Sequence, residues 1–336
     1  MLKRIFATLA ALFALAAPAA AQSDAEWQAV VDAAKKEGKL VIYTATLGST
    51  YHKAVFQAFE KKYGIRIELL EARASEIRER VRIEQAAGRF VGDVHHNGST
   101  TTWLMTRDGN LQPHGAIPNV KNIVPPYAAD DIRVPAEVIS YALMVNRNIV
   151  KPADEPKGWK DILDPKWNGK ILSDDMRALG GGAVFFVVMY DTFGKEFHEK
   201  LAAQKPVFSR DIANSERRVA RGEFPLYLPF SLQDYNQLKG LPVKPLVPQE
   251  GRPYVRFDLA TLKGAPHPNA ARLFMNFYLE PEQQLVFANA GYNPVIGGVI
   301  EKVSDDLRPL LATKALGTTV PERQDAMLEL AKQIYK

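Results

Sequence analysis

The sequence contains no cysteine among its 336 residues. This absence excludes a disulfide framework, so packing alone must hold the fold if the chain is exported. It also argues against a lipid-anchored form, because no cysteine follows the small residues near the start. Runs of one charge are missing as well: 43 Lys and Arg face 38 Asp and Glu, spread along the chain. Nucleic acid is therefore not an expected partner.

Long hydrophobic segments are also missing, apart from a short run at residues 5–17 that follows Lys3 and Arg4. That run is shorter than the ~20 residues that a membrane-spanning helix needs. It is followed by Pro18 and three alanines, which is typical of a secretory signal peptide with a small-residue cleavage site. We therefore expect a signal peptide at residues 1–21, cleavage after about Ala21, and a periplasmic location.

Catalytic signatures are absent too. The sequence contains no G-x-S-x-G elbow, no G-x-x-x-x-G-K-[ST] loop and no H-E-x-x-H helix, which are the patterns that carry hydrolytic or nucleotide chemistry. We expect a protein that is not an enzyme and needs no cofactor. A secreted hydrolase is the alternative from another class, and it rests only on the presence of Ser, His and Asp.

The hydrophobic pattern predicts an α/β protein. Short apolar runs alternate with amphipathic segments, in the order of an open, mostly parallel sheet with helices on both faces. Residues 133–146 are rich in strand formers and predict a crossover into a second set of strands and helices. Predicted strands lie at residues 40–43, 65–70, 91–94, 170–172, 207–208, 224–228 and 255–260, and predicted helices at 24–37, 51–63, 74–87, 182–190, 215–221, 269–290 and after 305.

Two stretches carry a resemblance to a known family. GWKDILDPKWNGKI at residues 158–171 and KGAPHPNAARLF at 263–274, continuing to EPEQQ at 280–284, resemble the signature stretches of bacterial extracellular solute-binding proteins. The closest branch contains the ferric-iron, thiamine, phosphonate and sugar-phosphate binders of ABC importers.

That resemblance implies a type II-like periplasmic binding fold, with two lobes and a ligand cleft that closes by hinge motion. It also implies a permease in the inner membrane as partner and a monomeric protein. We expect residues 22–130 and 261–336 to form lobe 1 and residues 131–260 to form lobe 2. The hinge crossovers are then expected near residues 131–140 and 255–262.

Polar residues in strand-to-helix loops are the candidate ligand groups, because ligands of open α/β sheets lie beyond the carboxyl ends of the strands. Hydroxyls and backbone N–H groups at a helix N-terminus form an anion site, although plain N-capping is an equally simple role for them. In lobe 1 the candidates are Thr44, Thr46, Ser49, Asn97, Ser99, Thr100 and Thr101.

In lobe 2, glycines before an apolar helix would let the backbone approach a ligand. Arginine there could hold a carboxylate or phosphate with two hydrogen bonds. A tight turn or a surface position is the alternative for each residue. The lobe 2 candidates are Arg177, Gly181, Gly182, Ser215, Ser231 and Tyr235, with Arg210 nearby.

These groups favour a small anion as ligand: a phosphonate, a phosphorylated compound or a carboxylate. The alternative is ferric iron, for which Tyr43 and Tyr235 are the candidate ligands. Iron binders of this branch typically carry an adjacent tyrosine pair, whereas residues 229–235 here read PFSLQDY. Neighbours on a strand face opposite ways, so His95 and His96 are not expected to hold one metal, and no metal site is predicted.

Overall fold

The computed structural model describes residues 19–46 and 48–336, with side chains from residue 24 onward. Residues 1–18 of the predicted signal peptide lie outside the described residues. In the described part of the chain, no helix is both long and apolar enough to cross a membrane. The strands are β1 (Lys39–Thr44), β2 (Arg66–Glu71), β3 (Val94–Gly98), β4 (Leu111–Gln112), β5 (Arg133–Asn146), β6 (Ile171–Asp174), β7 (Val207–Ser209), β8 (Leu226–Ser231), β9 (Val243–Leu246), β10 (Arg252–Leu262) and β11 (Ala315–Gly317).

The helices cover the faces of these strands. They are α1 (Ala19–Glu37), α2 (Thr50–Tyr63), α3 (Ala74–Ala86), α4 (Ser99–Arg107), α5 (Gly181–Phe193), α6 (Lys195–Ala203), α7 (Ile212–Ala220), α8 (Pro268–Tyr278), α9 (Pro281–Asn289), α10 (Arg308–Leu311) and α11 (Gln324–Ile334). Short 3-10 turns include Trp159–Leu163 and Leu232–Leu238.

The strands form two parallel groups joined by an antiparallel pair. Their order is β2-β1-β3-β10-β5-β8-β6-β7. β1 pairs in parallel with β2 and β3, and β6 pairs in parallel with β7 and β8. This arrangement confirms the predicted fold class of two mostly parallel sheets flanked by helices. It also aligns the carboxyl ends of each parallel group along one edge, where the polar loops follow.

β5 is long because it serves both groups. Its first half pairs antiparallel with β10, and its second half pairs antiparallel with β8 and β9. Residues 133–146 therefore form the predicted crossover strand, and β10 is its return partner. The exact division of the chain into lobes stays a prediction.

Apolar clusters pack against both groups of strands, and the first of them includes residues of both groups. The first core centres on an aromatic cluster in which Phe274 contacts Phe56, Phe59 and Tyr278, with ring centroids 5.3–5.7 Å apart. The second core contains Trp159 and the apolar helix α5, in which Phe185 lies 5.1 Å from the Trp159 ring.

Several elements differ from the sequence prediction. The helical stretch at residues 269–290 is two helices, because Pro281 begins α9 and cannot continue α8. β4, β9 and β11 are too short to leave a pattern. α11, which the prediction assigned to lobe 1, packs its buried Met327 and Ala331 into the second core, and Tyr335 binds His198 of α6 at 2.8 Å.

Phe274→Ala should lower the free energy of unfolding by about 3–5 kcal/mol, because it opens a cavity among three aromatic rings. Urea unfolding of the mature protein measures this change. Leu179→Ala is the control, since Leu179 is 61% exposed and should change stability by less than about 0.5 kcal/mol. Equal losses in both variants would contradict the assigned core.

Candidate functional site

The lobe 1 edge is built by the carboxyl ends of β1 and β3. Thr44 ends β1, and its hydroxyl lies 2.8 Å from the Thr46 hydroxyl and 3.0 Å from His96 Nδ1. Thr44 is fully buried, whereas Thr46 is half-buried. These two predicted residues therefore form a short hydroxyl chain that leads from the loop into the sheet.

Ser49 caps α2, which was the simpler of its two predicted roles. Its hydroxyl oxygen accepts a hydrogen bond from the His52 backbone N–H, and it also lies 2.7 Å from His52 Nδ1. A serine N-cap with a histidine three residues later holds that imidazole in place. The imidazole is 1% exposed and points inward from the first turn of α2.

Glu137 on β5 gathers three donors in the interior. Its Oε1 lies 3.0 Å from Nε2 of His52 and 3.0 Å from Nε2 of His96, and its Oε2 accepts the Tyr278 hydroxyl at 2.8 Å. These residues come from α2, β3, β5 and α8. The ligand atoms of His52, His96 and Glu137 lie within 4.8 Å of one another, so this cluster could hold a metal ion.

The hydrogen-bond partners of Glu137 determine whether its carboxyl group is ionised. Burial would raise the pKa of Glu137, but the charge of His96 and the hydrogen bonds from both histidines outweigh it and hold that pKa far below its ordinary value. Burial lowers the pKa of His52, although Glu137 opposes this. The arrangement at neutral pH is an ionised carboxylate held by imidazole and phenol donors.

His95 points to the other face of β3, as strand alternation predicts. Its Nε2 lies 3.2 Å from the Thr102 hydroxyl of α4, and burial lowers the pKa of His95 to about 3. His96 therefore joins Glu137 without its neighbour. The prediction that the two adjacent histidines do not share one metal agrees with this geometry.

The first turn of α4 supplies the other lobe 1 candidates. Ser99, Thr100 and Thr101 lie in the helix itself rather than in a preceding loop, and they are half-buried. The N-cap residue, Gly98, has no side chain to cap the helix. Asn97 is buried, and its Nδ2 has no hydrogen-bond partner among the described residues.

The lobe 2 edge is acidic. Asp174 ends β6, and its Oδ2 accepts the Gly182 N–H at 2.7 Å. Glu216 lies on α7 and is 6% exposed, and Asp234 lies in the turn after β8. Within the described residues, none of these three carboxylates has a Lys, Arg or His nitrogen within 4.0 Å.

Burial without a cation partner raises the pKa of each of these groups. Burial and the charge of Asp234 raise the pKa of Glu216 to about 8, and burial raises the pKa of Asp234 to about 6. Burial also raises the pKa of Asp174, against hydrogen bonds from Gly182 and Asp175.

Two phenols lie beside these acids. Burial and then the charge of Asp174 raise the pKa of Tyr141 on β5 and of Tyr227 on β8 well above the ordinary range. Asp234 raises both pKa values further. Tyr141 also lies opposite Ser231 across the β5–β8 pair.

Tyr292 connects the two edges, and sequence reasoning missed it. Burial and then the charges of Glu137 and Asp234 raise the pKa of Tyr292, whereas the Ser49 hydroxyl lowers it. The preceding Gly291 adopts φ 93° and packs against the Leu232 carbonyl of the lobe 2 turn, so a side chain there would collide with backbone. A Gly-Tyr turn after a helix was the available signal.

The structure places several predicted lobe 2 residues in structural roles. Arg177 is engaged by Asp175 at 2.8 and 3.0 Å and stacks over Phe208, which leaves the predicted ligand role unsupported. Ser215 donates to the Asp211 carbonyl at 2.8 Å inside α7. Both roles satisfy the side chain within the fold.

Gly181 and Gly182 begin α5. The group that accepts a hydrogen bond at this helix N-terminus is the side chain of Asp174, not a ligand. A side chain at Gly181 would meet the Tyr141 ring, and one at Gly182 would meet the Asp175 backbone. The glycines therefore permit close packing of the helix N-terminus on the acidic edge. Ser231 is buried at the end of β8, beside that edge.

The predicted iron pair is not assembled. The Tyr43 hydroxyl binds Glu84 Oε2 at 2.9 Å and packs in the cluster beneath α3, on the face of β1 opposite Thr44. Tyr235 packs against a different core, with Lys239 5.7 Å from its ring centroid. Strand alternation explains this, because Tyr43 and Thr44 point to opposite sides of the sheet.

Comparison with solved structures gives the same two-lobed fold. The chain is 20% identical to the iron- and citrate-bound IdiA (FutA) of Trichodesmium, with a TM-score of 0.74 over 89% of this chain and 100% of that one. It is 19% identical to iron-bound HitA of Pseudomonas aeruginosa, with a TM-score of 0.70 over 88% and 99%. The ferric binding protein of Campylobacter jejuni gives 18% and 0.70 over 88% and 98%.

Among curated proteins, an uncharacterised protein of Haemophilus influenzae is 29% identical over 135 residues, which is 38% of this chain and 39% of that protein. The match thus spans about two-fifths of that relative. The family model described as bacterial extracellular solute-binding protein matches residues 42–285. The chain therefore belongs to the bacterial extracellular solute-binding proteins, the family of binding components that serve ABC importers.

Proposed function

We propose that this solute-binding protein captures ferric iron together with a small oxyanion such as citrate, in the cleft between its two edges. This replaces a free phosphonate or phosphorylated anion as the leading ligand. The observation that carries the proposal is the acidic lobe 2 edge, where Asp174, Glu216 and Asp234 are buried or half-buried without a cation partner among the described residues.

The carboxylates of the lobe 2 edge are suited to bind a cation. A buried carboxylate needs a counter-charge or a proton, and the raised pKa values of Glu216 and Asp234 report that need. An anionic solute would add repulsion there. Ferric iron is a hard ion that prefers oxygen ligands such as carboxylate and phenolate, in line with the matching of hard metals to oxygen donors.

The phenols replace the tyrosine pair that this chain lacks. Tyr141, Tyr227 and Tyr292 come from β5, β8 and the turn after α9, so they approach the acids from three directions. Each phenol is held protonated by burial and by the neighbouring negative charges. A bound ferric ion would lower those pKa values and recruit phenolate, because a metal ion inverts the local pKa logic.

The lobe 1 edge suits the anion that would accompany the metal. The N-terminus of α4 has no side-chain cap, and uncapped N–H groups with nearby hydroxyls bind carboxylates or phosphates. This edge also supports a second candidate, a phosphorylated solute bound without metal. The solved relatives IdiA (FutA) and HitA hold iron, the former with citrate, which supports the first candidate.

Capture would proceed by hinge closure about β5 and β10, followed by delivery to a permease. Both strands run between the two sheets, so their bending moves one edge toward the other. Ligand contacts made on both edges would favour the closed state.

Asp234→Asn should weaken ferric-citrate binding about tenfold or more, since it removes an anionic oxygen from the cation side. Isothermal titration of the mature, iron-stripped protein with ferric citrate measures this. Asp305→Asn is the control for the same chemical change, because the Asp305 side chain is 93% exposed.

Titration with three compounds distinguishes the two candidate ligands: ferric citrate, citrate alone and a sugar phosphate. Binding of ferric citrate with a charge-transfer colour supports iron. Saturable binding of the phosphorylated compound, with none of ferric citrate, would sink the iron proposal and establish the second candidate.

The affinity for the cation should rise with pH through about 6 and again through about 8, as Asp234 and Glu216 lose their protons. The stability of the ligand-free protein should fall from about pH 4, where the unfolded carboxylates begin to release their protons, up to about pH 8. The folded Glu216 keeps a proton that the unfolded chain releases near its ordinary pKa, so the unfolded state gains as pH rises.

Glu216→Gln should remove the Glu216 part of this loss, which amounts to a few kcal/mol since one pKa unit is worth about 1.4 kcal/mol. Urea unfolding at about pH 5, 7 and 9 measures it. Glu282→Gln is the exposed control. A Glu216→Gln protein that loses stability between pH 5 and 9 as steeply as the parent would contradict the assignment.

A further inference from the structure

We propose that His52, His96 and Glu137 form a second, structural site for a divalent transition-metal ion such as Zn²⁺, buried beneath the lobe 1 edge of the solute cleft. The proposal does not depend on which solute the cleft binds. It rests on the positions of three ligand atoms, on the groups that orient them and on the charge that they enclose.

The ligand atoms are spaced for one small ion. Nε2 of His52 and Nε2 of His96 each lie 3.0 Å from Glu137 Oε1, and the three lie within 4.8 Å of one another. Tetrahedral ligands at Zn–N and Zn–O distances near 2.0–2.1 Å are about 3.4 Å apart. Small side-chain rotations would therefore admit a zinc ion between them.

Each ligand is oriented through its other polar atom. His52 Nδ1 lies 2.7 Å from Ser49 Oγ, His96 Nδ1 lies 3.0 Å from Thr44 Oγ1, and Tyr278 binds the second oxygen of Glu137 at 2.8 Å. Metal-binding histidines almost always have such an outer partner, which fixes the ring and its tautomer.

The hydrogen bonds to Glu137 Oε1 place a proton on Nε2 of each ring, because a carboxylate oxygen can only accept. With the metal on Nε2, each ring carries that proton on Nδ1 and donates it to the hydroxyl oxygen of Ser49 or Thr44. Both hydroxyls can accept, so the outer hydrogen bonds are kept in either state.

The charge of the cluster also fits a dication. His52 is 1% exposed, and His96 and Glu137 are 0% exposed. Glu137 has no Lys or Arg within 4.0 Å among the described residues. The buried carboxylate therefore has no Lys or Arg as a counter-charge, which is costly in an apolar interior. The aromatic rings of Phe56, Phe257 and Phe287 surround the pair of imidazoles.

The types of ligand atom distinguish this site from the proposed iron site in the cleft. Two imidazole nitrogens and one carboxylate suit Zn²⁺ and similar divalent ions, whereas carboxylate and phenolate oxygens suit harder ions. Zinc in the interior would fix α2 and β3 to β5, and thereby hold the lobe 1 edge against the hinge strand.

The test measures zinc in the mature protein, freed of any polyhistidine tag. Because the site is buried, the protein is refolded from urea with one equivalent of Zn²⁺, passed over a desalting column and assayed by elemental analysis. We expect about one zinc per chain, because the three ligand atoms lie around a single position. A parallel sample refolded with Co²⁺ should show a visible absorption spectrum that the metal-free protein lacks.

His96→Gln should lose most of the zinc, while His95→Gln is the matched control because His95 faces α4 and binds Thr102. Thr44→Val keeps the three ligands but removes the partner of His96 Nδ1, and should lower zinc affinity by about 10–100-fold. Circular dichroism checks that each variant folds.

Wild-type protein that refolds without retaining zinc and without a cobalt spectrum would overturn the proposal, with no reliance on variants. Equal zinc loss in His95→Gln and His96→Gln would overturn it as well. Asp234→Asn separates the two metal proposals: it should keep its zinc whatever becomes of its ferric-citrate affinity. A failure to bind iron would therefore not contradict the zinc proposal. A failure to bind zinc would likewise not contradict the iron proposal.

Discussion

The antiparallel pairing of β5 with β10 is the constraint on which the rest of the structure depends. Both strands pass from one parallel group to the other, so they join the lobes and fix where each edge can go. β5 carries Glu137 in its first half and Tyr141 in its second, four residues apart. A single strand thus holds the buried carboxylate of lobe 1 and a phenol of the lobe 2 edge, and bending it changes the distance between them.

The buried acids of the two lobes show how surroundings decide charge. Glu137 has three donors and a pKa far below its ordinary value, whereas Glu216 has a buried oxygen without a partner and a pKa of about 8. The difference lies in the donors that each carboxylate meets, since both side chains are removed from water. Glu137 has its hydrogen bonds within the fold, whereas the lobe 2 acids lack a cation partner among the described residues.

Local pattern was enough to predict much of the fold and part of the site. Apolar runs predicted most of the strands, and their polar continuations placed Thr44 and Ser49 between β1 and α2. The His52–Glu137 contact joins residues 85 apart in sequence, and no local sequence pattern near either residue predicts it. The same limit applies to α11, whose apolar face does not say which core it covers. Alternation could have ruled out Tyr43, which faces away from Thr44 on the same strand.

The missing tyrosine pair changes how a ferric ion would be held. Two adjacent tyrosines bring both phenols from one short segment, so lobe 2 can bind metal before the lobes close. Here the phenols belong to β5, β8 and the turn that carries Tyr292, and the Ser49 hydroxyl of lobe 1 also affects the pKa of Tyr292. If these three phenols are the ligands, as proposed, their relative positions depend on the hinge strand and on both lobes. Affinity should then depend more on closure than in a protein whose ligands stand side by side, and the energy of bending β5 and β10 becomes part of the selectivity for the solute.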